Sequence, residues 1–148
     1  MSLKAQIQED MKAAMRAGEK PRLATIRLIM AAIKQREVDE RIELDDAQVL
    51  GVIDKMVKQR RESIAQFAAG GRADLVATET AELTQLSAYL PAQLSATELD
   101  ALISEAIAAT GAASIKDMGR VMAAIKARAA GRADLGAVGV RIKARLSA

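Results

Sequence analysis

Aliphatic side chains return every three or four residues along most of this chain. Leu3, Ile7, Met11 and Met15 set the rhythm; Leu23, Ile26, Met30 and Ile33 repeat it; Val49, Ile53, Val57, Ile64 and Phe67 carry it further. That period belongs to an amphipathic helix and not to a strand. No run of alternating β-branched residues offers a competing sheet, and the dominant Ala, Leu, Lys, Arg and Glu all favour helix. The fold class is therefore all-α. Hydrophobic residues make up 51% of the chain but aromatics only 1%, so its core must be aliphatic.

Punctuation divides the rhythm into seven helices. Ser2 is a plausible N-cap for a first helix that ends near Gly18, and Pro21 suits the opening of a second. Asp45-Asp46 open a third, which Gly70-Gly71 stop, and a fourth holds Leu75, Leu83, Leu86 and Leu90. The boundary falls at Tyr89-Leu90-Pro91-Ala92-Gln93-Leu94-Ser95: Pro91 disfavours helical geometry at Leu90, and Ser95 with Glu98 makes a capping box. Helix five then runs to Gly111, a sixth starts at Ser114 and a seventh follows residue 135. The chain reads as an N-terminal four-helix unit over 1–90, a linker at 91–94 and a C-terminal three-helix unit over 95–148. Its 148 residues suffice for one compact domain or two small ones.

The pentapeptide Gly-Arg-Ala-Asp-Leu occurs twice, at 71–75 and 131–135. Beyond it and the preceding alanine the flanks do not match, which argues against a duplicated domain. Each copy reads as a stop–restart turn: glycine ends one helix in the left-handed conformation, and aspartate three residues on caps the next.

Composition closes off several kinds of chemistry. With no histidine and no cysteine, Ser–His, Cys–His and thiolate-zinc sites are excluded. A catalyst would have to use Lys, Asp, Glu, Ser, Thr or Tyr89. The sequence holds no glycine-rich phosphate loop and no metal-ligand cluster, so no catalytic residue, metal or cofactor is assigned. No apolar stretch is long enough for a bilayer, and the N-terminus lacks the basic-then-apolar order of a signal peptide. The expectation is a cytoplasmic protein with no membrane partner.

Some charges fall where apolar residues belong. Arg60 lies in the centre of the Ile53–Phe67 stripe, and Glu79 and Glu82 lie on the face of Leu75, Leu83, Leu86 and Leu90. An antiparallel hairpin about the first pentapeptide sets Arg60 opposite residue 84, within reach of Glu82 or Glu79. Burial of either charge alone is costly, so a structural pair is expected, as it is for Glu37.

Charge is distributed unevenly. Acids and bases balance over residues 1–90, residues 91–111 carry three acids and no base, and from 112 on eight bases face only Asp117 and Asp134. In this last stretch Ile115, Met118, Met122, Ile125 and Ala129 form an apolar side, while Lys116 and Arg120 project elsewhere among Ala123, Ala124 and Ala127. Lys126 and Arg128 flank the stripe and Arg132 sits in the turn. In the last helix Leu135, Val138, Ile142 and Leu146 face inward, with Arg141, Lys143 and Arg145 around the rest. Gly136 and Gly139 cost that helix about 1 kcal/mol each against alanine, which tight packing or a phosphate at the backbone would justify. A basic segment raises a polyanionic partner, and with Phe67 and Tyr89 as the only aromatics, stacking on single-stranded bases is not available. A folded RNA read through its backbone and shape fits better.

Lys58-Gln59-Arg60-Arg61-Glu62-Ser63, the linker Tyr89–Ser95, and Lys116-Asp117-Met118-Gly119-Arg120-Val121-Met122 followed by Gly131-Arg132-Ala133-Asp134 together resemble the YqeY family, the GatB/YqeY group of small bacterial proteins. That family shares its tail with the GatB component of the glutamine-dependent aspartyl/glutamyl-tRNA amidotransferase, a carbon–nitrogen ligase. The resemblance implies an all-helical fold in two parts and a tail that contacts tRNA. The amidotransferase's catalytic domain has no counterpart here. The function expected is thus a tRNA-associated binding protein without its own catalytic centre, with Lys116, Arg120, Lys126, Arg132, Arg141 and Lys143 on the nucleic acid. Arg60, Glu79, Glu82, Pro91, Gly119, Gly131 and Asp134 are expected to be structural. Two alternatives stand beside it: an accessory component working with amidotransferase subunits, and a protein–protein adaptor.

Overall fold

The structure is a computed structural model describing residues 1–147. Among them are seven α-helices and no strand: α1 (Leu3–Ala17), α2 (Lys20–Glu40), α3 (Asp46–Ala69), α4 (Ala73–Ser87), α5 (Ala96–Thr110), α6 (Met118–Ala129) and α7 (Leu135–Ser147), with one 3-10 turn at Ile115–Asp117 before α6. The chain divides into two compact units, Met1–Leu90 and a second that begins at Pro91.

In the first unit α1 packs on α2, α3 on α4, and α2 touches all three others. Its core is Ile7, Ala14, Ile26, Ile29, Ile33, Leu44, Val49, Ile53, Val57 and Leu86. Two details depart from the spacing read off the sequence. Met15 is exposed and Ala14 is fully buried, because 3.6 residues per turn carries the stripe from Met11 to position 14 and not by another step of four. Ile29 joins Ile26 and Ile33 at 0% exposure, since α2 is covered on more than one side.

Local hydrogen bonds set the helix ends. Ser2 Oγ accepts from Ala5 N, Asp45 and Gln48 cap α3 reciprocally, and Ser95 and Glu98 do the same for α5. The α2–α3 loop is held through Glu37: its carboxylate accepts from Leu44 N at 2.9 Å and from Lys4 Nζ at 2.9 Å to each oxygen. Those donors, Leu44 first, keep the Glu37 carboxyl below its ordinary value. Tyr89 Oη donates to Asp10 Oδ2 at 2.6 Å, so the end of the first unit is tied back to α1. Burial and that bond raise the Tyr89 phenol well above its usual range.

The second unit gathers Leu99, Ile103, Ala106, Val121, Ile125, Ala129, Val138 and Ile142. Val121, outside the apolar side read from the sequence, is fully buried, while Ile115 stands 46% exposed in the 3-10 turn. The 3-10 opening puts Ile115 out of phase with the α-helical stripe that follows, whereas Met118, Met122, Ile125 and Ala129 do line or border this core, on the same face as Val121. Gly139 is buried, and a Cβ there would lie 3.3 Å from Met122 Cε and 3.4 Å from Met118 Cε. Close helix packing, one of the two reasons considered above, thus accounts for this glycine.

The two pentapeptide copies fold differently. Gly71 and Gly131 both take left-handed backbone, with φ of 71° in each. After Gly71, helix resumes at Ala73 with Arg72 as a cap position lacking a side-chain bond, so Asp74 lies inside α4 and does not cap it. Asp74 instead bonds Arg72. After Gly131 the chain stays out of helix until Leu135, and Asp134 Oδ1 accepts from Gly136 N at 2.9 Å. The difference lies in the neighbouring linker: Leu94 N donates to Arg132 O at 2.8 Å, Gln93 Nε2 to Gly131 O at 2.8 Å, and Arg132 Nε to Ala92 O at 3.0 Å. Segment 92–94 therefore clasps the second turn and delays its helix.

Asp134→Ala should cost the second unit about 1 kcal/mol through loss of the α7 cap. Asp74→Ala should cost less, because α4 starts without it. Parallel urea titrations of the two variants measure the difference, and equal losses would show that the turns are energetically alike. Asp117 makes a second test. Ala113 N and Ser114 N donate to its Oδ2 and Arg120 bonds Oδ1, which hold the carboxyl at about 2, with the Ala113 amide the largest cause. A lowered folded pKa favours the carboxylate, so this stabilisation is complete above the ordinary value of 3.8 and vanishes as pH falls through about 2. Asp117→Asn should lower Tm at neutral pH, and its melting curve should meet the parent's near pH 2.

Candidate nucleic-acid interface

The basic residues of the second unit separate by what surrounds them. Arg128 Nη1 bonds Glu105 Oε2 at 2.8 Å, Arg141 Nη1 bonds Asp100 Oδ1 at 3.0 Å, and Arg145 Nη2 bonds Ser104 Oγ at 2.8 Å. All three partners lie on α5. Arg120 joins Asp117 and donates to Thr110 O at 3.2 Å, closing the α5 C-terminus. Arg132 is half-buried and holds the linker through Ala92 O. Each arginine of this unit therefore has a partner within it.

The lysines do not. Lys116, Lys126 and Lys143 are exposed and make neither an ion pair nor a side-chain hydrogen bond as donors among the described residues. Their direction follows from helical rotation, 100° per residue. Lys126 lies two residues from Arg128, and Lys143 lies two residues from both Arg141 and Arg145. Each is rotated 200° away from a side chain that reaches α5. Each also lies four residues, or 40°, from the contact joining α6 to α7: Lys126 from Met122, Lys143 from Gly139. Both lysines thus border the α6–α7 seam on its outer side, near exposed Gly119, Ala123 and Gly136, with Val140, 70% exposed, beside Lys143. This is a low surface that a bulky anion can approach.

Of the six residues expected on nucleic acid, the fold gives Lys126 and Lys143 to this edge and Lys116 to the exposed 3-10 turn. Arg120, Arg132 and Arg141 are first engaged in the unit's own structure. Arg120 and Arg141 keep side chains 60% and 43% exposed, so N–H groups remain for a ligand. The signal that separates lysine from arginine here was the acids and Ser104 on α5, which the sequence displays but cannot orient. The second pentapeptide turn has its groups engaged already: Gly131 O, Arg132 Nε and the Gly136 amide all have protein partners.

In the first unit, Arg60 Nε donates to Glu82 Oε2 at 2.6 Å and lies 3.2 Å from Glu79 Oε2. Both carboxylates therefore share one guanidinium, and the choice between them left open by the sequence resolves to both. The second contact is out of line for a hydrogen bond, which leaves Glu79 Oε2 buried and unbonded. The cluster ties α3 to α4. Glu82 also borders a cavity of ≈ 430 Å³ with Pro21, Ala24, Thr25, Thr78, Ala81 and Gln85, which adds no second ionisable group. Among the described residues, no three His, Cys, Asp or Glu side chains gather to hold a metal, and no helix is long and apolar enough to cross a membrane.

Comparison with known proteins gives consistent relatives. The mitochondrial "Altered inheritance of mitochondria protein 41" of Eremothecium gossypii is 40% identical over 89 residues, 60% of this chain and 49% of that protein. The proteins of the same name from Kluyveromyces lactis and Pyrenophora tritici-repentis are 37% and 36% identical, over 57% and 83% of this chain and 46% and 71% of theirs. The chain spans about half the length of the first of these curated relatives. Their mitochondrial designation overturns the cytoplasmic expectation. Lack of a bilayer-length helix separates spanning from non-spanning chains and cannot tell one aqueous compartment from another. A family model described as Yqey-like protein matches residues 4–146, and the chain belongs to that family.

Proposed function

We propose that the second unit binds a folded RNA, of the tRNA class, through its phosphate backbone and without a catalytic centre of its own. The observation that carries this reading is the contrast between partnered arginines and unpartnered lysines. Lys116, Lys126 and Lys143 are committed to no internal ion pair, so their charge is available to phosphates, that of Lys126 and Lys143 along the α6–α7 edge and that of Lys116 at the 3-10 turn before α6. Small residues between them let a ribose–phosphate chain come close. The absence of aromatic stacking platforms favours backbone and shape over base reading. The resemblance to the amidotransferase tail supplies the class of RNA.

This reading ranks the basic residues. Lys116, Lys126 and Lys143 contribute most to binding, Arg120 and Arg141 add charge at the margins, and Arg132 acts mainly on the fold. Binding of the purified chain to bulk tRNA is measured across a salt series beside the Lys116→Ala/Lys126→Ala/Lys143→Ala variant. The parent should show log affinity falling linearly with log salt, and the variant's slope should be shallower by about one per lysine removed, with helicity unchanged. Arg132→Ala, by contrast, should lower the melting temperature more than the affinity. Equal slopes for parent and triple variant would sink the assignment to this edge.

A further inference from the structure

Five exposed residues of α2, Ala24, Leu28, Ala31, Gln35 and Val38, succeed one another at spacings of four, three, four and three. That alternation is a heptad seam, and four of its five positions are apolar. It faces outward, half a turn from Ile26, Ile29 and Ile33, which fill the core. Leu28 is 44% exposed and Val38 63%, and Ile42, just past the helix, is 41% exposed. Large apolar side chains on water in a single line mark a contact surface.

A second row runs beside the seam with a period of seven: Lys20, Arg27, Lys34 and Arg41. All four are exposed, and none makes an ion pair or donates a side-chain hydrogen bond among the described residues. Arg22 and Arg36, on the same helix but off this row, pair with Glu19 and Glu40. The opposite flank carries Ala32 and Asp39 and opens on a cavity of ≈ 660 Å³ between α2 and α3, which Gly51, Val52 and Met56 also line. Arg41 adds an independent sign. It is the one non-glycine among the described residues with left-handed backbone, φ 55°, at the position that Gly18 fills after α1 and Gly111 after α5. A side chain there is disfavoured, yet the row is completed with a cation.

We propose that this face of α2 docks an amphipathic helix of a partner protein, with apolar residues at three–four spacing and a row of Asp or Glu against the four cations. Ala24 and Ala31 let such a helix approach closely. A second copy of this chain is a poorer match. Antiparallel pairing of two α2 seams sets basic row against basic row, and parallel pairing offers Lys34 the partner Asp39 and leaves Arg27 facing Ala32. An anionic membrane is poorer too: it is served by cations on both flanks and bulky apolar groups, whereas one flank here bears Asp39 and every other seam position in the first half is alanine.

The test titrates the full chain with two probe peptides of four heptads. Both carry Leu and Ala alternating along the seam; one has Glu at the flanking positions and its twin has Lys. The Glu peptide should bind and the Lys peptide should not. Leu28→Asp with Val38→Asp should weaken binding about tenfold or more. Arg27→Glu with Lys34→Glu should reverse the preference between the twins. Arg41→Gly should weaken binding of the Glu peptide while Tm stays level or rises, a pair of results that mere damage to the fold cannot give. Binding of neither peptide, or equal binding of both, would overturn the proposal. So would a concentration-dependent dimer in sedimentation that Leu28→Asp abolishes, or capture by phosphatidylserine vesicles that the same change abolishes, where the peptides do not bind.

Discussion

Everything in this fold rests on a core without aromatic rings. Of the twelve largest side chains under 2% exposed, eight are isoleucine and three are valine. In a helix these β-branched residues are confined to one strongly preferred rotamer. The core is therefore an assembly of stiff, small knobs, and its fit depends on the phase of each helix more than on total volume. Helices that meet through such knobs and through Ala14, Ala106, Ala129 and Gly139 come close together, which brings the polar residues at their margins within reach of one another.

Close approach explains why so many charges serve the fold. Arg60 enters a stripe of aliphatic residues because two glutamates on α4 wait for it, and Lys4 reaches Glu37 across the α1–α2 contact. Pairs of this kind add little net stability when solvent reaches them, but an unpaired charge at the same depth would oppose folding. Their contribution is to register: α3 and α4 can slide past one another only by separating Arg60 from its carboxylates. The same logic in the second unit sends arginine, with its planar fork of donors, across to α5, and leaves lysine on the outer edge.

How far this was legible beforehand depends on the range of the interactions. Caps and stops were legible, because Ser2, Ser95 with Glu98, Pro21 and the left-handed glycines act within four residues of themselves. The Arg60 cluster was legible because a hairpin has only one register near its turn. Errors arose where phase had to be carried over distance. A step of four from Met11 reached Met15 and missed Ala14, and Ile115, counted into the apolar side of α6, belongs to a 3-10 turn and faces solvent. The two Gly-Arg-Ala-Asp-Leu turns were indistinguishable in sequence, and they differ because residues 92–94 hydrogen-bond to one of them. For the candidate interface the sequence listed basic residues but not their occupancy, since an arginine on α7 is engaged or free according to what α5 presents to it.

Unpartnered cations occur in both units, and their neighbours distinguish what each set suits. Around the lysines of the second unit stand mostly glycine and alanine, with Ile115 and Val140 exposed singly and in no row, so a contact gains charge neutralisation with no continuous apolar crest to bury. That balance suits a phosphate backbone, whose affinity comes from displaced counterions. Along α2 the cations stand on one side of an apolar crest, where a contact must bury Leu28 and Val38 as well as answer the charge. A phosphate chain gains nothing from that crest, while an amphipathic helix gains from both rows at once. Charge alone would have grouped the two surfaces together; the apolar residues beside the charge are what separate them.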